Sequence, residues 1–166
     1  AAASELASDA GWSIEVRALH AFYAQNALEA LMLLEQVADR CASRGDDEGA
    51  ILALRRSLDL ARRALFRGDI DEPERAVVIF SRKLGEALAR AGFLTDADGI
   101  LREALDLAGP ADLDRARLLE GLARVARARE RHQEAQAFLR EAIATAGRSG
   151  AQELAASLED LRLQWR

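Results

Sequence analysis

Apolar side chains recur every three to four positions along nearly the whole chain, with charged residues between them, which is the periodicity of helices that bury one face. The pattern predicts helices over 13–44, with a weak point near Gln25–Asn26, and over 47–66, 72–91, 95–108, 111–130, 132–146 and 149–165. Gly45, Gly68, Gly92, Gly109 and Gly147 each follow an apolar-periodic segment and are predicted to end it. Asp46 or Asp47, Asp71, Thr95 and Asp112 are predicted to cap the starts, and Pro73 and Pro110 suit first-turn positions, where a missing N–H costs nothing. The connections are short, so neighbouring helices are predicted to pack antiparallel.

Composition supports this reading. Half of the 166 residues are hydrophobic and only 5% are aromatic, with alanine and leucine dominant, a balance suited to close-packed helices. No Pro/Gly/Ser-rich linker interrupts the pattern, so 12–166 is expected to be a single helical domain after a frayed or disordered 1–11. The opening AAASELASDAG lacks the basic-then-apolar order of a signal peptide and reads as the cut end of a larger chain. The net charge of −5 argues against a nucleic-acid partner. No run of about 18 apolar residues is present, so no membrane insertion is expected. Cys41 is the only cysteine, which suits a reducing, cytoplasmic setting. Lys83 is the only lysine among 23 basic residues, the mark of an arginine-biased, GC-rich genome.

Small residues stand at fixed offsets in "LGEALARAGFLTDADGILREAL" (Leu84 to Leu105). With Val78 as the first position of a unit, Leu84 and Gly85 fall seventh and eighth, Leu88 eleventh, Gly92 fifteenth, Leu94 seventeenth, Ala97 twentieth, Leu101 twenty-fourth, and Ala104 and Leu105 twenty-seventh and twenty-eighth. Gly85, Ala97 and Ala104 are places where two helices can cross closely, with leucines filling the spaces between. A second unit begins at Ala116, with Leu119, Leu122, Ala123 and Ala126 on one helix and Glu134, Ala135, Leu139, Ala142 and Ile143 on the next; Glu130 stands where a turn glycine is expected. A fainter unit begins at Leu31 and carries Leu34, Val37, Ala38, Cys41, Gly45, Ala50, Leu54, Ser57 and Leu58.

This pattern resembles the tetratricopeptide repeat, a helix–turn–helix unit of about 34 residues. The matched alanines Ala50, Ala97 and Ala135 are spaced by 47 and 38 residues, so helices or turns are longer than in the family. The resemblance implies an all-α fold: a right-handed α-solenoid of antiparallel helix pairs with about three repeats (31–67, 78–111 and 116–149), preceded by a long N-terminal helix. A helix over 149–165, apolar along Leu154, Leu158, Leu161 and Trp165, would cap it. The run from "GWSIEVRALHAFYAQNALEAL" to "ELAASLEDLRLQWR" is similar to the repeat tails of large myxobacterial signalling proteins, notably serine/threonine kinases; no kinase motif is present.

The resemblance also implies a concave groove lined by the first helix of each unit. Its positions fall on Ile79, Arg82, Glu86, Ala89 and Arg90, and on Arg117, Glu120, Arg124, Arg127 and Ala128. Arginine offers paired donors to carboxylates, so the expected partner is a protein or peptide segment with acidic residues. The chain lacks the Lys/Asn pattern of the family's carboxylate-clamp members. The competing reading of the arginines is a solvated surface neutralised by Glu86 and Glu120.

The N-terminal segment places Trp12, Val16, Leu19, Tyr23, Ala30, Leu33 and Val37 near a three-four spacing broken at Asn26. That is either a helix packed on the first repeat or a pairing surface for a homodimer. Two Arg-Gly-Asp triplets, at Arg44–Asp46 and Arg67–Asp69, read as helix ends followed by helix starts. "DADG" at Asp96–Gly99 lacks the closing glutamate of a calcium loop. His20 and His132 have no ligand-spaced neighbour, and no nucleophile elbow or phosphate loop occurs. The reading is therefore a non-enzymatic interaction module with no cofactor, metal or catalytic residue, or alternatively a structural spacer or self-association domain.

Overall fold

In the computed structural model, the described residues are 12–24, 26–68, 70–110 and 112–165. They form α1 (Ile14–Tyr23), α2 (Ala27–Ser43), α3 (Asp47–Arg67), α4 (Pro73–Arg90), α5 (Leu94–Leu107), α6 (Leu113–Ala128), α7 (His132–Arg148) and α8 (Gln152–Gln164), with no strand among them. The fold is all-α and is built from helix pairs joined by short turns, as tetratricopeptide-like repeats are. Residues 1–11, expected to be frayed, lie outside the described residues.

The long N-terminal helix is two helices. Asn26 starts a new one: its side chain accepts from the Glu29 N–H at 3.5 Å and donates to the Glu29 carboxylate at 2.7 Å. Asp46 caps α3 by accepting from the Gly49 N–H at 2.8 Å, and Asp112 caps α6 by accepting from the Asp114 N–H at 3.0 Å. Thr95 and Asp71 are not caps. The Phe93 carbonyl already accepts from the Ala97 N–H at 3.0 Å, so α5 begins at Leu94 and Thr95 lies inside its first turn. The Glu72 carbonyl takes the equivalent bond from Ala76 at 3.1 Å, and Pro73 opens α4.

Helix ends were read correctly at Gly45, Gly68 and Gly92, which have φ of 74°, 64° and 85°. Gly147 instead lies within α7, and Gly150, at φ 79°, takes the left-handed position after it. Gly109 follows an extended Ala108 and is not left-handed. At the α6–α7 turn the left-handed residue is Glu130, at φ 61°.

Packing divides the chain inside α4 into two compact units, one up to Phe80 and one from Ser81 onward. In the first, α2 packs on α1 and α3 around Ala21, Ala30, Leu34, Leu54, Leu58 and Ala61. In the second, α5 to α8 pack each on the next. Its core holds Ala116, Leu119, Ala123, Leu139, Ala142, Ala146 and Leu158, with Leu154, Leu161 and Trp165 of the last helix packed against them. That side of α8 is the apolar one expected of a cap. Two ion pairs tie helices of this unit together, Arg102 to Glu134 at 2.7 Å and Arg115 to Glu141 at 3.0 Å. A second bond from Arg102, to Asp98, is the chief cause that holds its guanidinium above its ordinary pKa. Among the described residues no helix is long and apolar enough to cross a membrane.

Candidate functional site

Small residues make a hollow in the second unit. Gly85 and Ala89 on α4 face Gly121 and Ala128 on α6, and Leu101 of α5 forms the floor with Leu94 beside it. Where four neighbouring positions carry little or no side chain, helices can pack closely at the floor and still leave space above it. The result is a cleft of about 350 Å³, at the lower end of the range of about 300–1,000 Å³ in which small apolar groups bind. Glu86, Arg90 and Arg124 complete its lining.

The expected groove residues divide. Glu86, Arg90 and Arg124 reach this cleft, as do Ala89 and Ala128. Ile79 lines a different cleft, in the first unit. Arg82, Arg117, Glu120 and Arg127 line neither. Arg82 donates to Glu86 at 2.6 Å, and Arg124 donates to Glu120 at 2.7 and 3.1 Å, so both arginines are tied to glutamates one helical turn away. Arg82 is half-buried, and its Nε has no hydrogen-bond partner. Arg127 turns elsewhere: its Nη1 donates to His132 Nδ1 at 2.6 Å, and its guanidinium lies 5.9 Å from the centre of the Trp165 ring. Arg117 is exposed. The floor residues Gly121 and Leu101 were not assigned to the groove by the sequence. Their signal was the pairing of Gly85 with a second helical glycine, which only the fold brings together.

A tetratricopeptide repeat family model matches residues 76–147. The matched stretch runs from α4 into the last turn of α7 and contains the whole cleft; repeats of this family generally mediate protein–protein interaction. It covers the middle and last units read from the sequence, and the unit expected over 31–67 falls outside it. The crystal structure of MamA protein is similar at 17% identity over 81% of this chain and 87% of that one, with a TM-score of 0.35. No match is found among curated proteins.

On α1, the expected apolar seam separates. Ala18 and Ala21 are buried, whereas Trp12, Val16, Leu19 and Tyr23 are 43, 41, 36 and 71% exposed. Ala30, Leu33 and Val37, further along the same pattern, are buried on α2. The Trp12 and His20 rings lie against each other in a tilted arrangement, 4.6 Å between ring centres. Among the described residues no group of three His, Cys, Asp or Glu is arranged to hold a metal ion.

Proposed function

We propose that this chain is a non-enzymatic interaction module, and that the second-unit cleft seats one apolar side chain of a peptide whose adjacent carboxylate meets Arg124 and Arg90. The observation that carries the reading is the hollow itself: four small residues around Leu101 leave apolar space beside two arginines. An aliphatic anchor supplies affinity by leaving water, and a carboxylate beside it fixes register through charge-assisted bonds. Glu120 holds the Arg124 side chain in place, so a ligand carboxylate competes for donors already oriented. On this reading the module is a cytoplasmic scaffold or adaptor in signal transduction, a role supported by the resemblance of the sequence to repeat tails of bacterial signalling proteins.

The test is fluorescence anisotropy with short peptides carrying one leucine flanked by aspartates, and with the same peptides carrying lysines instead. The wild type is expected to prefer the acidic set, and Arg90→Glu with Arg124→Glu to lose at least about tenfold in affinity, as central arginine contacts do. Helicity by circular dichroism should be unchanged. Equal affinity in wild type and variant eliminates the reading.

The exposed stripe Trp12, Val16, Leu19 and Tyr23 favours a second reading, self-association through α1. Light scattering on the full chain and on a chain starting at Asn26 separates the two, since only self-association predicts that truncation lowers the mass to that of a monomer.

A further inference from the structure

The first unit holds a larger cleft, of about 540 Å³. One wall is α2, which presents Leu28, Leu31, Met32 and Glu35, the spacing of a single helical face. The other wall is α4, with Arg75, Ala76, Ile79 and Phe80, and the turn carrying Ile70, Asp71 and Glu72 closes one end. Leu28 and Met32 are 61 and 56% exposed, a large solvent-facing area for two residues of a buried-face type on one helix. Methionine adapts its shape to what packs on it, which suits a docking surface. The charges are of one dominant sign. Glu35, Asp71, Glu72 and Arg75 are the charged residues of its lining, and Arg75 is paired to Glu72 at 3.1 Å.

We infer that this cleft docks a segment of a partner protein that carries apolar side chains on one face and lysine or arginine beside them, the opposite charge preference to that of the second-unit cleft. Sign decides the occupant: three acidic residues against one arginine leave the lining net negative, which attracts a basic residue next to the apolar anchors and repels an acidic one. The chain's own opening run, AAASELASDAG, carries Glu5 and Asp9 with no basic residue and does not match. A second copy, with a net charge of −5, is also poorly matched. A segment with apolar residues at i, i+3, i+4 and i+7 would lay them along Leu28, Met32 and Ile79 as a helix lies in a groove. The inference stands whether or not the second-unit cleft takes acidic peptides.

The experiment uses the full chain and two peptides of about 14 residues, each with leucines at i, i+3, i+4 and i+7, one with lysines and one with glutamates elsewhere. The lysine peptide is expected to bind at least about tenfold more tightly. Met32→Glu, or Leu28→Glu where a second variant is needed, should weaken it by a similar factor. Either change makes the protein more negative, so unspecific attraction of a cationic peptide would grow stronger. Asp71→Asn with Glu72→Gln should weaken binding too. The inference is overturned if neither peptide binds, if the glutamate peptide binds as well, or if Met32→Glu leaves binding intact. A Met32-dependent doubling of mass in sedimentation would equally overturn it in favour of a second copy. Binding that Arg90→Glu with Arg124→Glu strengthens while Met32→Glu leaves it intact would move the lysine peptide to the other cleft and overturn the inference.

Discussion

A β-carbon on Gly85 would lie 2.6 Å from Cγ of Leu101 and 2.7 Å from its Cδ2, closer than two carbons can approach. Leu101 is fully buried against this glycine and would have to shift from its packed position to admit one. Gly85 is thus a contact surface for one leucine, and the cleft above that leucine exists because the same surface continues to Gly121, where a β-carbon would stand 3.3 Å from Leu101 Cδ1.

Three glycine-to-alanine changes should therefore have three different outcomes. Alanine gains about 0.5–1 kcal/mol over glycine inside a helix. Overpacking a close contact costs about 1–3 kcal/mol. Gly85→Ala should accordingly destabilise by about 1–2 kcal/mol, and Gly121→Ala should be near neutral. Gly99→Ala, in α5 with nothing within 4 Å of its would-be β-carbon, should stabilise by the full helix-propensity gain. In a Leu101→Ala background the penalty at Gly85 should vanish, a coupling that urea denaturation of the double-mutant cycle reads directly. Additive effects of Gly85→Ala and Leu101→Ala would contradict this account.

The α6–α7 turn closes like the α4–α5 turn but without its glycine. Arg131 donates to the Ala126 carbonyl at 2.9 Å, as Phe93 donates to Leu88 at 2.9 Å, and the intervening left-handed residue is Glu130 in one and Gly92 in the other. A left-handed L-residue costs roughly 1–2 kcal/mol, and glycine's extra freedom in the unfolded chain takes back about 0.4–1 kcal/mol. Glu130→Gly should stabilise by about 0.5–1 kcal/mol, seen as a raised Tm, and Gly92→Ala should lower it. A lowered Tm for Glu130→Gly would mean that the glutamate side chain holds the turn.

These two turns also show what was legible in the sequence. Gly85, Ala97 and Ala104 stood at offsets that helix crossing explains, and Gly92 stood where a helix ends, so the middle repeat could be read residue by residue. Glu130 cast doubt on the next turn because local chemistry disfavours it, and the surrounding hydrogen bonds and packing override that preference. The groove was harder. Ile79, Arg82 and Glu86 share one helix and would share one face by periodicity, but which cleft each side chain meets depends on the neighbouring helices. The repeat positions put Arg127 in the groove with Arg124; instead its guanidinium lies 5.9 Å from the ring centre of Trp165, 38 residues further along. Long-range partners of that kind leave no periodic trace.

The last helix should contribute to the whole second unit. Leu158 is buried against Ala142, Ala146 and Leu139, and Gln136 reaches across to donate to the carbonyls of Arg162 and Trp165 at 3.3 and 3.4 Å. Leu158→Ala removes buried methyl groups and leaves a cavity, at a cost of about 2–5 kcal/mol. Thermal unfolding followed at the amides of α6 and α7 by hydrogen exchange should show both helices losing protection together. Loss confined to α8 would make it an appendage.

Cys41 offers a pH-dependent readout of the first unit. Burial is the main cause that pushes its thiol above the ordinary range, followed by a hydrogen bond to Asp46 and the negative charges of Asp46 and Glu15. The thiolate is the reacting form, so a raised pKa lowers its fraction at neutral pH, and alkylation should stay slow until the pH passes the range in which an ordinary cysteine reacts. Asp46→Asn keeps an α3 cap, since asparagine also accepts from the Gly49 N–H, but removes the charge. Its alkylation profile with monobromobimane should move to lower pH than that of the wild type, with Tm nearly unchanged. The two profiles would coincide if Asp46 had no part in holding the proton on Cys41, and a wild-type profile at or below that of the urea-unfolded chain would contradict the burial of the thiol itself.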